Sequence, residues 1–166
     1  MVQLNPAIAA NPLSRKGKDL ANRLIVLCFL VLWVAGCSDV LPFSGGRLEG
    51  NLADSPQDWT ELASREVIQL ETNPENPYSV NLWIVGEGTD LYVHAGANRA
   101  AWVENMEADP DVRLLIGDML YELKGERVTS QAEFDAFADA YEGKYGRRPR
   151  NENVGEAYLF RLIPRE

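Results

Sequence analysis

Strand-like segments dominate the chain beyond residue 46, and residues 66–72 and 79–85 show the alternation of apolar and polar positions that is typical of β-strands with one buried face. Residues 79–85 show it clearly, since Val80 and Ile84 fall on one face while Asn81 and Trp83 fall on the other. The same pattern predicts six strands, at residues 66–72, 79–85, 91–95, 112–116, 119–128 and 158–163.

Two helices are predicted between the strands, and each has a start signal. Asn98 can cap a helix that runs to about Ala108. Ser130 and Glu133 have the spacing of a capping box, and the helix after them carries one apolar stripe, formed by Phe134, Phe137, Ala138 and Tyr141. Six strands with two short helices predict an antiparallel barrel or sandwich rather than a parallel α/β sheet.

The first 36 residues have a different pattern, in which a basic stretch precedes an apolar one. Residues 24–36 carry no charge, and the basic group before them consists of Arg15, Lys16, Lys18 and Arg23. A helix needs about 20 apolar residues to span a bilayer, so this run is too short to do so. Its basic end and short apolar core are typical of a signal peptide.

The apolar run ends in Val34-Ala35-Gly36-Cys37, and these four residues resemble the bacterial lipobox. The resemblance implies that the thiol of Cys37 is diacylated, that the peptide is cut before it and that the new amino end is acylated. Several acyl chains on one residue bind a bilayer far more strongly than a single chain does. The alternative is a buried core helix at residues 24–36, with Cys37 as an unmodified thiol.

These features divide the chain into a lipoprotein signal peptide at residues 1–36, a lipidated tether at 37–46 and a folded domain at 47–166. We expect the chain to be anchored by lipid in a membrane of the cell envelope, facing the periplasm or the exterior. In enteric bacteria an aspartate directly after the cysteine resembles an inner-membrane retention signal. Ser38 stands there in this chain, so the outer membrane is favoured.

The chain contains 16 Lys and Arg residues against 25 Asp and Glu residues, so its net charge is −9. The first 36 residues are basic, which leaves 12 basic and 24 acidic residues, a net charge of −12, from Cys37 onward. A body this acidic repels a polyphosphate backbone, so nucleic acid is not expected as a partner. One histidine and two cysteines also disfavour a metal site.

Several stretches of the predicted domain carry a resemblance to a known family. Residues 77–83 read Pro-Tyr-Ser-Val-Asn-Leu-Trp, residues 91–93 read Leu-Tyr-Val, and residues 96–102 read Gly-Ala-Asn-Arg-Ala-Ala-Trp, before a Pro-x-Val at 110–112. In this order they resemble the flavin-reductase-like split barrels of the pyridoxamine-phosphate-oxidase and deazaflavin-dependent nitroreductase group. The likeness spans roughly residues 65–165.

The resemblance implies a mainly β fold with short helices, namely the six-stranded antiparallel split β-barrel that binds FMN. Members of this group usually form dimers and hold FMN or a deazaflavin in a groove at the subunit interface. A homodimer is therefore expected, and a domain of about 100 residues also buries more surface as a pair than alone.

The residues from Gly96 to Arg99 are the candidate site for the phosphate of such a cofactor. Gly96 lets the backbone approach closely, Ala97 and Asn98 add little bulk, and the predicted helix start offers free N–H groups. Arg99 can bind a phosphate through two parallel hydrogen bonds. The alternative is that Asn98 only caps the helix and that Arg99 is a solvated surface residue.

Asn81 and Trp83 are further cofactor-binding candidates, because in the resembling family the polar face of the second and third strands lines the groove. Trp102 is added from the stretch in which the likeness is sharpest. Trp83 could instead be a dimer-interface or core aromatic, and Asn81 could complete a strand-edge hydrogen bond. His94 is the only imidazole and could be catalytic or structural, so the sequence assigns no catalytic residue.

The chain departs from the family because residues 73–85 contain no basic residue, so one of the usual phosphate clamps is missing. Lys144 and the cluster Arg147-Arg148-Pro149-Arg150 could replace that charge, or they could form a solvated basic loop. Two functions remain. One is a lipid-anchored redox protein that binds FMN or a deazaflavin, and the other is a non-catalytic split-barrel lipoprotein that binds another ligand or acts as an interaction module.

Overall fold

The computed structural model describes residues 45–165, so the predicted signal peptide, Cys37 and most of the predicted tether lie outside the described residues. Each of the six predicted strands is present, with bounds within two residues of those predicted. The strands are β1 (Asn51–Leu52), β2 (Val67–Thr72), β3 (Tyr78–Glu87), β4 (Asp90–His94), β5 (Asp111–Ile116), β6 (Met119–Arg127) and β7 (Leu159–Pro164). The helices are α1 (Ala101–Ala108) and α2 (Gln131–Tyr145), with a short 3-10 turn at Leu62–Ser64.

The sheet closes on itself. Its order is β6-β5-β2-β3-β4-β7, and β7 returns to pair with β6. All six of these pairings are antiparallel. On the edge of β6 away from β5, β7 pairs with residues 123–127, whereas β1 runs parallel to Met119 and Leu120. The prediction of a six-stranded antiparallel split barrel is therefore confirmed.

The interior of the barrel is filled by the inward side chains of every barrel strand. Leu70, Ile84, Val93, Leu114 and Leu123 each have no exposed surface. Helix α1 joins this cluster through its buried face, which consists of Trp102, Val103 and Met106. The alternation that predicted the strands thus places one face of each strand inside the barrel, as expected for a half-buried sheet.

A second apolar cluster lies on the outer face of the barrel, under α2. Phe134 and Phe137 of α2 pack there with Val85 of β3 and Leu159 of β7. The sequence predicts a polar outer face for β3 and β4, and this prediction is wrong for the part that α2 covers. Alternation shows that a strand has two different faces, but it does not show whether a helix covers the outer one.

The start of one helix is as predicted from the sequence, and the start of the other is not. Helix α2 starts as predicted, since the Ser130 hydroxyl accepts a hydrogen bond from the Glu133 N–H at 3.4 Å. The predicted cap at Asn98 is wrong, because α1 begins after Ala100. The Asn98 N–H donates to the carbonyl of Ala95 at 3.2 Å and its own carbonyl accepts from Ala100 at 2.9 Å, so a turn uses this residue before the helix starts.

The segment before β2 crosses the outside of the sheet from β3 to β6. Gly45 exchanges two backbone hydrogen bonds with Ser79 of β3, both at 2.9 Å. Farther along, the Leu48 N–H donates to the buried carboxylate of Glu71, and the Leu48 carbonyl accepts from Arg113 at 3.1 Å. The chain thus joins the barrel at the edge of β3, and an ion pair between β2 and β5 holds the residues that follow on the outer side of the sheet.

Candidate functional site

The loop from Gly96 to Arg99 follows directly on β4, and the adjacent strand fixes its start. The Tyr158 N–H donates to the Gly96 carbonyl at 2.7 Å, and the Ala95 N–H donates to the Tyr158 carbonyl at 2.9 Å. Gly96 has φ = 61°, a left-handed conformation that glycine adopts without strain. The next three residues are exposed and lead into α1, so the loop presents its backbone to solvent beside a helix start.

Arg99 does not point freely into solvent from this loop, because it is bound to α1. Its Nη2 lies 2.6 Å from Oε2 of Glu107 and its Nε lies 3.2 Å from the same oxygen. The hydrogen bond to Glu107 raises the pKa of Arg99. This contact lies on the surface, where ion pairs are weak and readily exchanged. An anion that approaches the loop therefore has to compete with Glu107 for the guanidinium.

Glu107 also faces a second guanidinium, that of Arg127 on β6. Arg127 Nη1 lies 3.8 Å from Oε1 of Glu107, and its Nη2 donates to the Ala157 carbonyl at 2.5 Å. The Arg127 Cζ atom lies 4.4 Å from the ring centre of Tyr158, the residue that also binds Gly96. The loop, Arg99, Glu107 and Arg127 thus form one charged cluster, which we call the loop cluster.

Sequence reasoning identified the loop but neither Glu107 nor Arg127. The loop carries a local signal, a glycine and small residues before a helix. Glu107 is one of many acidic residues in the chain, and Arg127 lies on a distant strand. Only the packing of β6 and β7 beside the loop brings these charges together, and no spacing in the sequence shows that.

Trp102 lies in the barrel core rather than on the loop surface. It is 4% exposed and packs edge-on against Phe160, with ring centres 5.9 Å apart. This packing alone accounts for a tryptophan at the second position of α1. Contact between Trp102 and a cofactor stays a prediction.

Asn81, Trp83 and His94 belong to the outer face of β3 and β4. Asn81 is exposed, whereas Trp83 stacks on Tyr145 with ring centres 4.8 Å apart and lies 4.8 Å from the Arg147 guanidinium. The seven cofactor-binding residues predicted from the sequence therefore fall into three places: the loop, the core, and this outer face.

His94 is enclosed by the aromatic side chains of α2. Its ring centre lies 6.1 Å from that of Phe134, 5.3 Å from that of Phe137 and 6.3 Å from that of Tyr141. Its Nε2 atom has no hydrogen-bond partner within the described part of the chain. Burial lowers the pKa of His94 to about 4, so the ring is neutral at physiological pH. Packing, rather than proton transfer, is the role that these contacts support.

The basic residues near the end of α2 are engaged in holding the helix. Lys144 donates to the carbonyls of Ala63, Arg65 and Ile84, each at 2.6 Å, and burial lowers its pKa. The Arg148 guanidinium binds three carboxylates, those of Asp139, Glu142 and Glu152. These two charges secure α2 and are not arranged around the loop at Gly96.

Two cavities lie elsewhere, beside β5, β6 and β7, and residues 52–55 line only the larger of them. Their volumes are about 710 and 450 Å³, and Asp111 and Arg165 line both. Within residues 45–165, no three side chains of His, Cys, Asp or Glu converge in a way that could hold a metal ion. No helix in the same part of the chain has the length and apolar character that crossing a membrane requires.

Comparison with known proteins identifies the fold. No known protein family matches the sequence, and no curated protein matches it. A candidate pyridoxamine 5′-phosphate oxidase of Listeria innocua matches at 15% identity over 63% of this chain and 88% of its own, with a TM-score of 0.50. A candidate 5-nitroimidazole antibiotic resistance protein of Bacteroides thetaiotaomicron matches at 14% identity over 63% and 76%, also with a TM-score of 0.50.

A solved F420 reductase matches at 18% identity over 68% of this chain and 97% of its own, with a TM-score of 0.45. The first two matches support the barrel fold described above. This chain is therefore a split-barrel protein. It shares the fold of these proteins, at identities that define the fold and not the ligand.

Proposed function

We propose that this chain is a bacterial lipoprotein whose split barrel binds FMN or a deazaflavin, with the cofactor phosphate at the loop from Gly96 to Arg99. The observation that supports this most is the conformation of the loop. A glycine at φ = 61° is followed by exposed small residues and a helix start, and a guanidinium lies beside them. When bound, the flavin ring supplies the electron or hydride chemistry, and the protein supplies position and charge.

The residues of the loop fit a phosphate group. In the first turn of α1 the Val103 N–H already donates to the Ala100 carbonyl at 2.9 Å, so the N–H groups of Ala101 and Trp102 are the donors offered to an anion at the positive end of the helix dipole. The Cβ of a residue in place of Gly96 would have His94 as its nearest neighbour, at 3.9 Å, so there is space above the backbone at this point. Arg99 lies three residues after Gly96 in the same loop, and its guanidinium adds a full positive charge.

Replacing Arg99 with alanine is expected to weaken binding of FMN or a reduced deazaflavin by 10-fold or more, because it removes a charge-assisted hydrogen bond to the phosphate. Replacing Glu107 with glutamine is expected to strengthen binding several-fold, because the guanidinium loses its competing carboxylate. Fluorescence titration of the full chain in detergent micelles measures both changes.

The matched control for this experiment is Arg65→Ala, which removes an exposed guanidinium outside the loop cluster and is expected to leave the affinity unchanged. Equal weakening by Arg65→Ala and Arg99→Ala would contradict a site at the loop. Absence of binding to the unmutated chain at tens of micromolar cofactor would contradict the cofactor itself.

A second candidate function is a split-barrel lipoprotein without a cofactor. The observation that favours it is Glu107, which gives both Arg99 and Arg127 an anionic partner from within the protein. A visible absorption spectrum of the full chain purified from its host distinguishes the two functions. Flavin or deazaflavin bands support the first function, and a colourless protein that stays colourless after addition of both cofactors supports the second.

The lipid anchor is the part of the proposal that depends on Cys37. Mass spectrometry of the native protein is expected to find Cys37 at the amino end, carrying acyl chains, with residues 1–36 removed. Cys37→Ser should leave uncut precursor without an acyl label. An intact Met1 on an unmodified, soluble chain would contradict the anchor. Fractionation of the two membranes tests the expected location in the outer membrane.

A homodimer is also part of the proposal. The support for it is the small size of the barrel, since a small domain buries a limited fraction of its surface alone. Light scattering of the full chain in micelles, corrected for bound detergent, is expected to give twice the mass of the mature chain. A monomer at micromolar concentration would contradict the dimer and leave the barrel and its loop unaffected.

A further inference from the structure

We propose that one patch on the outer face of β2 and β3 contacts the lipid surface to which the chain is anchored. We call this the membrane face, and it consists of Val67, Gln69 and Trp83 with Arg65 and Arg147 beside them. The inference rests on the proposed lipid anchor at Cys37, and it adds the orientation of the barrel on the membrane. Four observations support it: the exposed apolar side chains of this face, the basic residues beside it, the position at which the chain joins the barrel, and the hydrogen bonds that hold the chain there.

The membrane face presents apolar side chains that nothing among the described residues covers fully. Val67 and Trp83 are directly opposite each other in the pairing of β2 with β3. They are 48% and 37% exposed, and with Leu52 they are the three exposed large apolar residues of the described part of the chain. Gln69 lies on the same side of β2 by alternation and carries no charge. Tryptophan is the residue that favours the boundary between headgroups and acyl chains.

Two arginines border this face, although the domain as a whole is acidic, and the nearby carboxylate is that of the exposed Glu66. The chain carries 12 basic and 24 acidic residues from Cys37 onward. Arg147 lies over the Trp83 ring, and Arg65 shares the side of β2 that carries Val67, where its guanidinium reaches to Gly117. Each basic residue near an anionic membrane contributes roughly 1 kcal/mol of attraction, whereas the acidic remainder is repelled. The two effects together turn this face toward the lipid.

The chain joins the barrel at the edge of β3 and then crosses the outer side of β2 beside this face, where the Leu48 N–H binds Glu71, two positions from Gln69. Gly45 pairs with Ser79 on β3, and Ser79 and Trp83 point to the same side because they are four positions apart. The distance between them along the strand is about 13 Å at the usual rise per residue. Gly45 is eight residues after Cys37, so the lipid-bearing residue is at most about 28 Å from the point of entry. An anchor of this length keeps the membrane face near the bilayer.

The segment that follows Gly45 is hydrogen-bonded to the barrel. The anchor therefore orients the barrel itself and not only the segment that leads to it. The Leu48 backbone binds both partners of the buried pair between Glu71 and Arg113. A second copy of the chain is the competing occupant of this face, but in a two-fold dimer it would bring its own Arg65 and Arg147 against the same two arginines. An anionic bilayer brings the complementary charge, and it is already tethered there.

The test uses the mature lipidated chain in vesicles of phosphatidylethanolamine and phosphatidylglycerol. Cys37 is the only cysteine of the mature chain and carries the lipid, so one introduced cysteine can take an environment-sensitive fluorophore. Gln69→Cys places the label on the membrane face. Lys124→Cys is the matched control, on an exposed position of β6 across the ring of six strands.

We expect a blue shift of the Gln69→Cys label on vesicles and several-fold stronger quenching by a nitroxide lipid than for the Lys124→Cys label. Adding Arg65→Glu to Gln69→Cys should lower the docked fraction about 5-fold or more, since it removes one attractive charge and adds a repulsive one. An acylated chain that floats with the vesicles while both labels stay in water would overturn the docking and leave the anchor in place. A chain without acyl groups on Cys37 would overturn the anchor and the docking together.

Occupation of this face by a second copy of the chain would give a different result. Protection of the Gln69→Cys label from a water-soluble quencher in micelles without vesicles, together with a dimeric mass, would assign this face to a second copy and overturn the proposal. Equal quenching in vesicles of phosphatidylcholine alone would overturn the role of Arg65 and Arg147.

Discussion

Replacement of Arg113 by leucine is expected to lower the free energy of unfolding by about 3–5 kcal/mol, because it leaves a buried carboxylate without its partner. Glu71 is 3% exposed, and Arg113 binds it through Nε at 2.9 Å and through Nη2 at 2.6 Å. The two residues face each other in the pairing of β2 with β5. Removing one member of such a pair is costly, because the other member stays buried and charged without an opposite charge beside it.

Urea denaturation at neutral pH measures this change, and Arg161→Leu is the matched control. Arg161 pairs on the surface with Glu126 and with Glu133, at 3.1 and 3.3 Å, so its loss should cost about 1 kcal/mol or less for each pair. Replacing both Glu71 and Arg113 by leucine should recover most of the stability, because it removes the buried charge entirely. A cost for Arg113→Leu no larger than the control would contradict a buried pair.

The pair has a further consequence for the first residues of the domain. Arg113 donates to the Leu48 carbonyl, so its loss frees the segment that connects the barrel to the proposed anchor. Limited proteolysis of Arg113→Leu near Leu48 should be faster than that of the unmutated chain. The variant should also dock less well on vesicles, because a loosened segment no longer orients the membrane face.

The barrel was predictable from the sequence because its strands carry a repeated local signal. Inward residues such as Leu70 and Leu114 alternate with outward ones, and the interior of a closed barrel requires this in every strand. The start of α2 was predictable for the same reason, since Ser130 and Glu133 are close in sequence. The start of α1 was not, because two local structures compete for Asn98 and a turn uses it before the helix can.

Only the part of the candidate site that consists of residues adjacent in sequence was predictable. The loop at Gly96 can be recognised from its small residues, whereas Glu107 and Arg127 reach it from α1 and from a distant strand. Trp83 and His94 were assigned to a polar face because alternation cannot show that α2 lies over it. Contacts between distant elements depend on how the whole barrel closes, and no pattern within one segment encodes them.

The stability of the domain is expected to fall by about 3 kcal/mol through His94 alone as the pH is lowered from 7 to 4. In the folded protein the pKa of His94 is lowered from 6.5 to about 4 by burial. The unfolded chain therefore binds a proton between these two pH values while the folded protein does not. The stabilisation is complete above pH 6.5 and is lost as the pH falls toward 4, because protonation would place a charge among the aromatic rings of α2.

The single histidine makes this prediction directly measurable. Titration of its ring protons by NMR should give a midpoint near pH 4 in the folded protein, whereas an exposed histidine gives one near 6.5. Carboxylates also titrate below pH 5, so urea denaturation of His94→Leu at each pH provides the control, and its loss of stability over this range should be smaller by about 3 kcal/mol. A midpoint near 6.5 would show that water reaches the ring, and α2 would then not seal the outer cluster against the barrel.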